Sequence, residues 1–87
     1  MSVLTCRVPV PKFIADELTG RSGKFTDAKD VFHCIAIGTD HFAGVFGDGG
    51  NGCYEWFVWK RMTFECSDKG YGDTVIALRD ILNREVI

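Results

Sequence analysis

The sequence predicts an α+β fold, a small antiparallel sheet of about four strands with a C-terminal helix and one or two N-terminal helices packed on it. Three observations predict it. The stretch Cys53 to Cys66 holds both tryptophans, one of the two tyrosines and two of the phenylalanines, and aromatic and β-branched density of that kind belongs to sheet. After Gly72, apolar residues recur at helical spacing. The 87 residues, 46% hydrophobic and 25% charged, leave room for one domain with an adequate core and lack the composition of a disordered chain.

Taken in order, Val3 to Val10 reads as a strand, with Val3, Leu4, Cys6, Val8 and Val10 near-alternating and Thr5 and Arg7 outside. Pro9 lacks a ladder donor and makes it an edge strand or a strand end. Pro11 to Leu18 reads as a short helix: proline suits its first turn, Phe13, Ile14 and Leu18 share a face, and Gly20 is placed to stop it. The following Thr19–Thr26 stretch imitates a P-loop but fails on spacing. Two residues instead of four separate Gly20 from Gly23, and Phe25 follows Lys24 where Ser or Thr is needed.

Asp27 to Ile37 fits a helix through Ala28, Val31, Phe32 and Ile35, with Thr26 or Asp27 as cap and Gly38 beyond its end. The same Val31, Phe32, Ile35 and Ile37 also suit a strand; the helix is the expectation carried forward. His41 to Phe46 is expected to be a strand and Gly47 to Gly52 a loop. That loop leads into a strand, so it lacks the helix N-terminus that lets glycine loops hold phosphate. Ser67 to Gly72 is turn chemistry. Asp73 or Thr74 then caps a helix to about Arg84, with Val75, Leu78, Ile81 and Leu82 as its buried stripe and Arg79, Asp80 and Asn83 towards solvent.

The aromatic stretch must reverse or run straight. A reversal at Lys60-Arg61 pairs Trp59 with Met62, Phe57 with Phe64 and Glu55 with Cys66. Phe57, Trp59, Met62, Phe64 and Cys66 then form the core face; Tyr54, Trp56, Val58, Thr63 and Glu65 form the other. A straight strand instead groups Tyr54, Trp56, Val58, Met62 and Phe64, opposite Phe57 and Trp59. Lys-Arg is a poor two-residue loop, since neither residue takes positive φ readily. Either way one tryptophan falls on the second face and is partly exposed if only one face is covered. If helices cover both faces, the aromatics are core.

The formal net charge of −2 and the scatter of the basic residues argue against nucleic acid as a partner. No apolar run reaches membrane-spanning length. The start of the chain lacks the basic and apolar regions of an export signal, so Cys6, Cys34, Cys53 and Cys66 are expected to be reduced thiols of a cytoplasmic protein.

Several chemistries weigh less than their plain structural explanations. Cys6, His33, Cys34, His41, Cys53 and Cys66 include no C-x-x-C and no zinc-finger spacing, and buried cysteine as a small hydrophobe explains the same residues. Neighbours such as His33 and Cys34 point apart, which is poor geometry for a thiol–imidazole pair. Asp40, Asp48, Glu55 and Glu65 near the sheet read more simply as solvent-side acids. An anion at the turn before the last helix, using Lys69, Tyr71 and Gly72, would compete with Asp73 for the same helix end.

The segments Tyr54-Glu-Trp-Phe-Val-Trp, Ser67-Asp-Lys-Gly-Tyr-Gly and Ala77-Leu-Arg-Asp-Ile-Leu82 resemble small phage and prophage accessory proteins, with an aromatic hairpin, a Ser/Gly/Tyr turn and a closing helix. The resemblance covers under half the chain and carries over no functional residue. It implies a cytoplasmic protein made during infection, often a stoichiometric inhibitor of a host enzyme or defence complex, antagonists of CRISPR systems among them.

The sequence reading is therefore a non-enzymatic, cofactor-free protein-binding module. Tyr54, Trp56, Trp59 and Arg61 are its contact residues, of types enriched where binding energy concentrates, with acidic residues meeting basic patches on the partner. The alternative is a small-ligand or anion-binding domain using Lys69, Tyr71, Gly72, Asp48 and Asn51, with self-association open. A small metal- or thiol-dependent enzyme is third.

Overall fold

A computed structural model describes residues 6–21, 31–48, 52–67 and 70–86. Strand β1 is Cys6–Arg7, helix α1 Lys12–Arg21, β2 Val31–Gly38, β3 His41–Asp48, β4 Cys53–Lys60, β5 Thr63–Cys66 and helix α2 Thr74–Val86. The strands lie in chain order and each pairs antiparallel with the next. Four strands, β2 to β5, make an antiparallel meander, and the two-residue β1 borders it along β2. This is a small α+β architecture with one helix on each side of the sheet.

The expected helix over 27–37 is overturned: 31–38 is a strand, while 27–30 lie outside the described residues. The physical reason is burial on two sides. Cys34 packs in the α1 cluster, and Ile37 packs in the α2 cluster. A strand covered on both faces loses its alternation and reads as a continuous apolar run, which also satisfies helical spacing. A register shift between Val31 and His33 further blurs the period of two.

The first strand is shorter than the Val3–Val10 reading, being Cys6–Arg7 within the described residues. Val8 still donates its N–H to the Cys34 carbonyl at 2.9 Å, and Pro9 then has no donor to continue the ladder. Helix α1 starts where Pro11 turns its carbonyl onto the N–H groups of Ile14 and Ala15. It runs through Gly20 instead of stopping there. The P-loop-like segment beyond it falls outside the described residues from 22 onwards.

Ile14 and Leu18, four residues apart on one helix face, are fully buried against Cys34, Phe46 and Phe57. On the opposite side, Ile81 of α2 packs with Ala43 and Val58, flanked by Ile37, Trp56, Leu78 and Leu82. Asp73 caps α2 by accepting the Val75 N–H at 2.7 Å. The buried stripe is Ala77, Leu78, Ile81 and Leu82, not one that begins at Val75, which is 56% exposed. At about 100° per residue, Val75 falls at the margin of that stripe and Ile76 on the far side.

Candidate functional site

The reversal between β4 and β5 is made by Arg61 and Met62, both at positive φ (49° and 67°). A two-residue loop in a right-twisted hairpin needs positive φ at both central positions, and here two side-chain-bearing residues adopt it. The turn is one residue later than the Lys60-Arg61 expectation. Trp59 pairs with Phe64, Phe57 with Cys66, Val58 with Glu65 and Lys60 with Thr63. Each partner number moves by two, so no strand side chain changes face. Phe57, Trp59, Phe64 and Cys66 face α1 as expected. Met62 leaves that set and stands at the tip, 87% exposed.

Three elements converge beside this tip. The Arg61 N–H donates to the Asp40 carbonyl at 3.0 Å, which ties the β4–β5 turn to the β2–β3 turn. Phe42 and Trp59, cross-strand partners, lie with ring centroids 6.0 Å apart. Phe13 from the first turn of α1 comes to 4.7 Å from Trp59 and 5.9 Å from Phe42. Phe13 is 44% exposed, and the other two rings are half-buried. The expectation that Phe13 shares the buried face of Ile14 and Leu18 is corrected: it precedes Ile14 by one residue, about 100° around the helix, and lies over the Phe42 and Trp59 rings at the hairpin end of the sheet. Lys12, Lys60 and Arg61 are exposed around this patch.

Tyr54 and Trp56 lie on the other face of the sheet, beneath α2. Trp56 packs with the Ile81 cluster, and its backbone N–H donates to Ser67 Oγ at 3.1 Å. The Arg84 guanidinium sits 5.1 Å over its ring, where a cation meets the negative π-face. Arg84 also bonds Glu65 at 2.7 Å and approaches Glu85 at 3.5 Å; the Glu65 hydrogen bond raises its pKa. Glu85 in turn holds His41 Nε2 at 2.8 Å. Glu65, Arg84 and Glu85 line an open cleft of about 390 Å³ together with Val58, Lys60, Thr63 and Phe64, and both carboxylates there already meet the Arg84 cation. Tyr54 sets its ring edge-on to Phe32 at 5.1 Å. The four sequence-nominated contact residues thus divide into Trp59 with Arg61 at the hairpin end, and Tyr54 with Trp56 under α2.

The alternative ligand set is not brought together within the described residues. Asn51 and Lys69 lie outside them, and for Asp48 the backbone register opposite Cys53 is defined. Tyr71 exchanges backbone hydrogen bonds with Tyr54 at 2.9 and 2.7 Å and gives its hydroxyl proton to Asp80 at 2.8 Å. Gly72 is exposed. The N-terminus of α2 carries the Asp73 carboxylate.

His33 and Cys34 sit at successive positions of a regular ladder, opposite Val45 and Gly44, and so point to opposite faces. Burial pushes the Cys34 thiol up to about 11, which keeps it protonated at neutral pH. Among the described residues no group of three or more His, Cys, Asp or Glu side chains is placed to hold a metal, and no helix is long and apolar enough to cross a membrane.

Burial, and secondarily Arg7, lower the His33 pKa from its usual 6.5. The unfolded chain therefore binds a proton there before the folded one does, and stability contributed by neutral His33 is lost as pH falls from about 6.5 through the lowered value. We expect urea midpoints to decline between pH 7 and pH 5 with a smaller slope in His33→Gln. An unchanged slope would show that His33 does not carry that linkage.

No family model, curated protein or solved structure matches the chain. Fold and surface together define a small α+β protein whose exposed large apolar side chains, among the described residues, are Met62 and Phe13 at the hairpin end and Val75 and Ile76 on the first turn of α2.

Proposed function

We propose that this chain is a non-enzymatic protein-binding module of the cytoplasm that occupies a surface of a larger protein, as a stoichiometric inhibitor does. The contact is the hairpin end, with Met62 and Arg61 at its tip and Phe13, Trp59 and Phe42 behind them. The observation that carries the reading is Met62, 87% exposed at positive φ. An L-residue in that conformation costs roughly 1–2 kcal/mol, which Gly or Asn at these positions would largely relieve. Folding alone therefore favours other residue types here, whereas Met and Arg are types enriched at interfaces. Lys60 and Arg61 call for carboxylates on the partner around an apolar depression for the thioether, which reverses the charge sense expected from sequence.

The test uses Arg61→Asn with Met62→Gly. This double variant is expected to melt several degrees higher, since about 1 kcal/mol shifts a chain of this size by roughly 4–8 °C. Affinity purification from a bacterial lysate should return a stoichiometric partner with the wild-type chain and lose it with the variant. Retention of that partner by the stabilised variant would refute the hairpin end as the contact.

A further inference from the structure

Resting on that reading, we infer that a second copy of this chain occupies the hairpin end when no foreign partner is present, forming an isologous pair in which the Arg61–Met62 tip of each copy docks on the exposed face of α1 of the other. The two halves of such a contact are both on this molecule. Phe13, Asp16 and Glu17 stand at i, i+3 and i+4, so they share one face of α1, and all three are exposed. That face is apolar and carries two carboxylates, with the single ammonium of Lys12, four residues before Asp16, at its border. The tip is apolar and basic, with Met62, Arg61 and Lys60 exposed.

Among the described residues, Asp16, Lys60 and Arg61 form no ion pair, so each has its charge available to a neighbour. Both half-surfaces border the Phe13–Trp59–Phe42 trio. A twofold axis beside the trio then makes every contact twice, as a self-complementary patch requires. It sets the Met62 thioether against aromatic rings, a favourable sulfur–ring contact, and Arg61 against Asp16. A net charge of −2 raises only a small barrier to bringing two copies together. Self-pairing covers the same residues as the proposed foreign contact, so the two compete.

Sedimentation velocity on the wild-type chain, over a concentration series reaching the millimolar range, is expected to show reversible dimerisation that weakens with added salt. Arg61→Glu and Asp16→Lys, each alone, place like charges opposite one another twice and should weaken the dimer roughly tenfold or more. An equimolar mixture of the two variants should restore pairing, because each substitution then faces the other. Circular dichroism establishes that both variants remain folded. A wild-type chain that stays monomeric throughout the series, or a mixture that pairs no better than either variant alone, overturns the inference. Neither result touches the foreign-partner reading, which stands or falls on the capture experiment with the tip double variant.

Discussion

Gly44→Ala is expected to lower the melting temperature by roughly 10–20 °C, the result of about 2–3 kcal/mol of overpacking in a chain of this length. A Cβ built on Gly44 would lie 2.1 Å from the His33 carbonyl oxygen and 2.5 and 2.6 Å from two ring carbons of Phe57. The carbonyl belongs to the paired strand β2, so it moves only if the β2–β3 ladder opens. The ring belongs to a side chain with no exposed surface, wedged among Ile14, Leu18, Cys34 and Phe46, so it moves only by displacing α1. Gly44 and Gly38 make a controlled comparison. The nearest atom to a Cβ on Gly38 is 3.8 Å away, and alanine there is expected to change stability by about 0.5 kcal/mol or less. Thermal melts of the two variants decide it: a Gly44→Ala protein that melts within two or three degrees of wild type would mean that Phe57 does not lie across Gly44. Adding Phe57→Leu to Gly44→Ala should recover part of the loss, since it removes the ring atoms that collide.

The contrast between Gly44 and the β4–β5 hairpin explains what could be read from the sequence. The hairpin, its two faces and α2 with its Asp73 cap follow from local pattern: alternation, a turn, then a 3.6-residue stripe. The turn lies one residue beyond its expected place because no Gly, Asn or Asp marks it, and Arg61 and Met62 are poor residues for positive φ. The strand over 31–38 was not legible, because burial by helices on both sides erases the alternation that identifies strands. Gly44 and Gly47 gave no signal that a ring or a neighbouring backbone lies against them, since that depends on which strands pair.

The same limit applies to the candidate site. Trp59 and Arg61 were visible as an aromatic and a basic residue near a turn. Their grouping with Phe13 and Phe42 depends on where α1 crosses the sheet, which no short window of sequence encodes. Tyr54 and Trp56 belong to the same aromatic run and alternate onto the other face, so composition nominated a surface that the sheet divides in two.

Trp56→Ala and Trp59→Ala are each expected to destabilise the fold by about 3 kcal/mol, at the lower end of the range for tryptophan truncation because both rings are half-buried. Trp56→Ala opens the Ala43–Val58–Ile81 cluster from its side and leaves the Arg84 cation without the ring beneath it. Trp59→Ala removes the ring between Phe13 and the cluster that holds Phe64. Urea denaturation of both variants measures the losses, and acrylamide quenching tests their cause: native quenching should be clearly weaker than in the urea-unfolded chain, because helices cover both sheet faces. Equal quenching in the two states, or a loss below about 1 kcal/mol for both variants, would contradict that covering. Truncating either tryptophan therefore cannot separate docking from folding, since a partner would be lost with the core. The Arg61→Asn and Met62→Gly pair separates them, because it is expected to strengthen the fold while removing the contact, and two opposite signs in one protein cannot arise from unfolding.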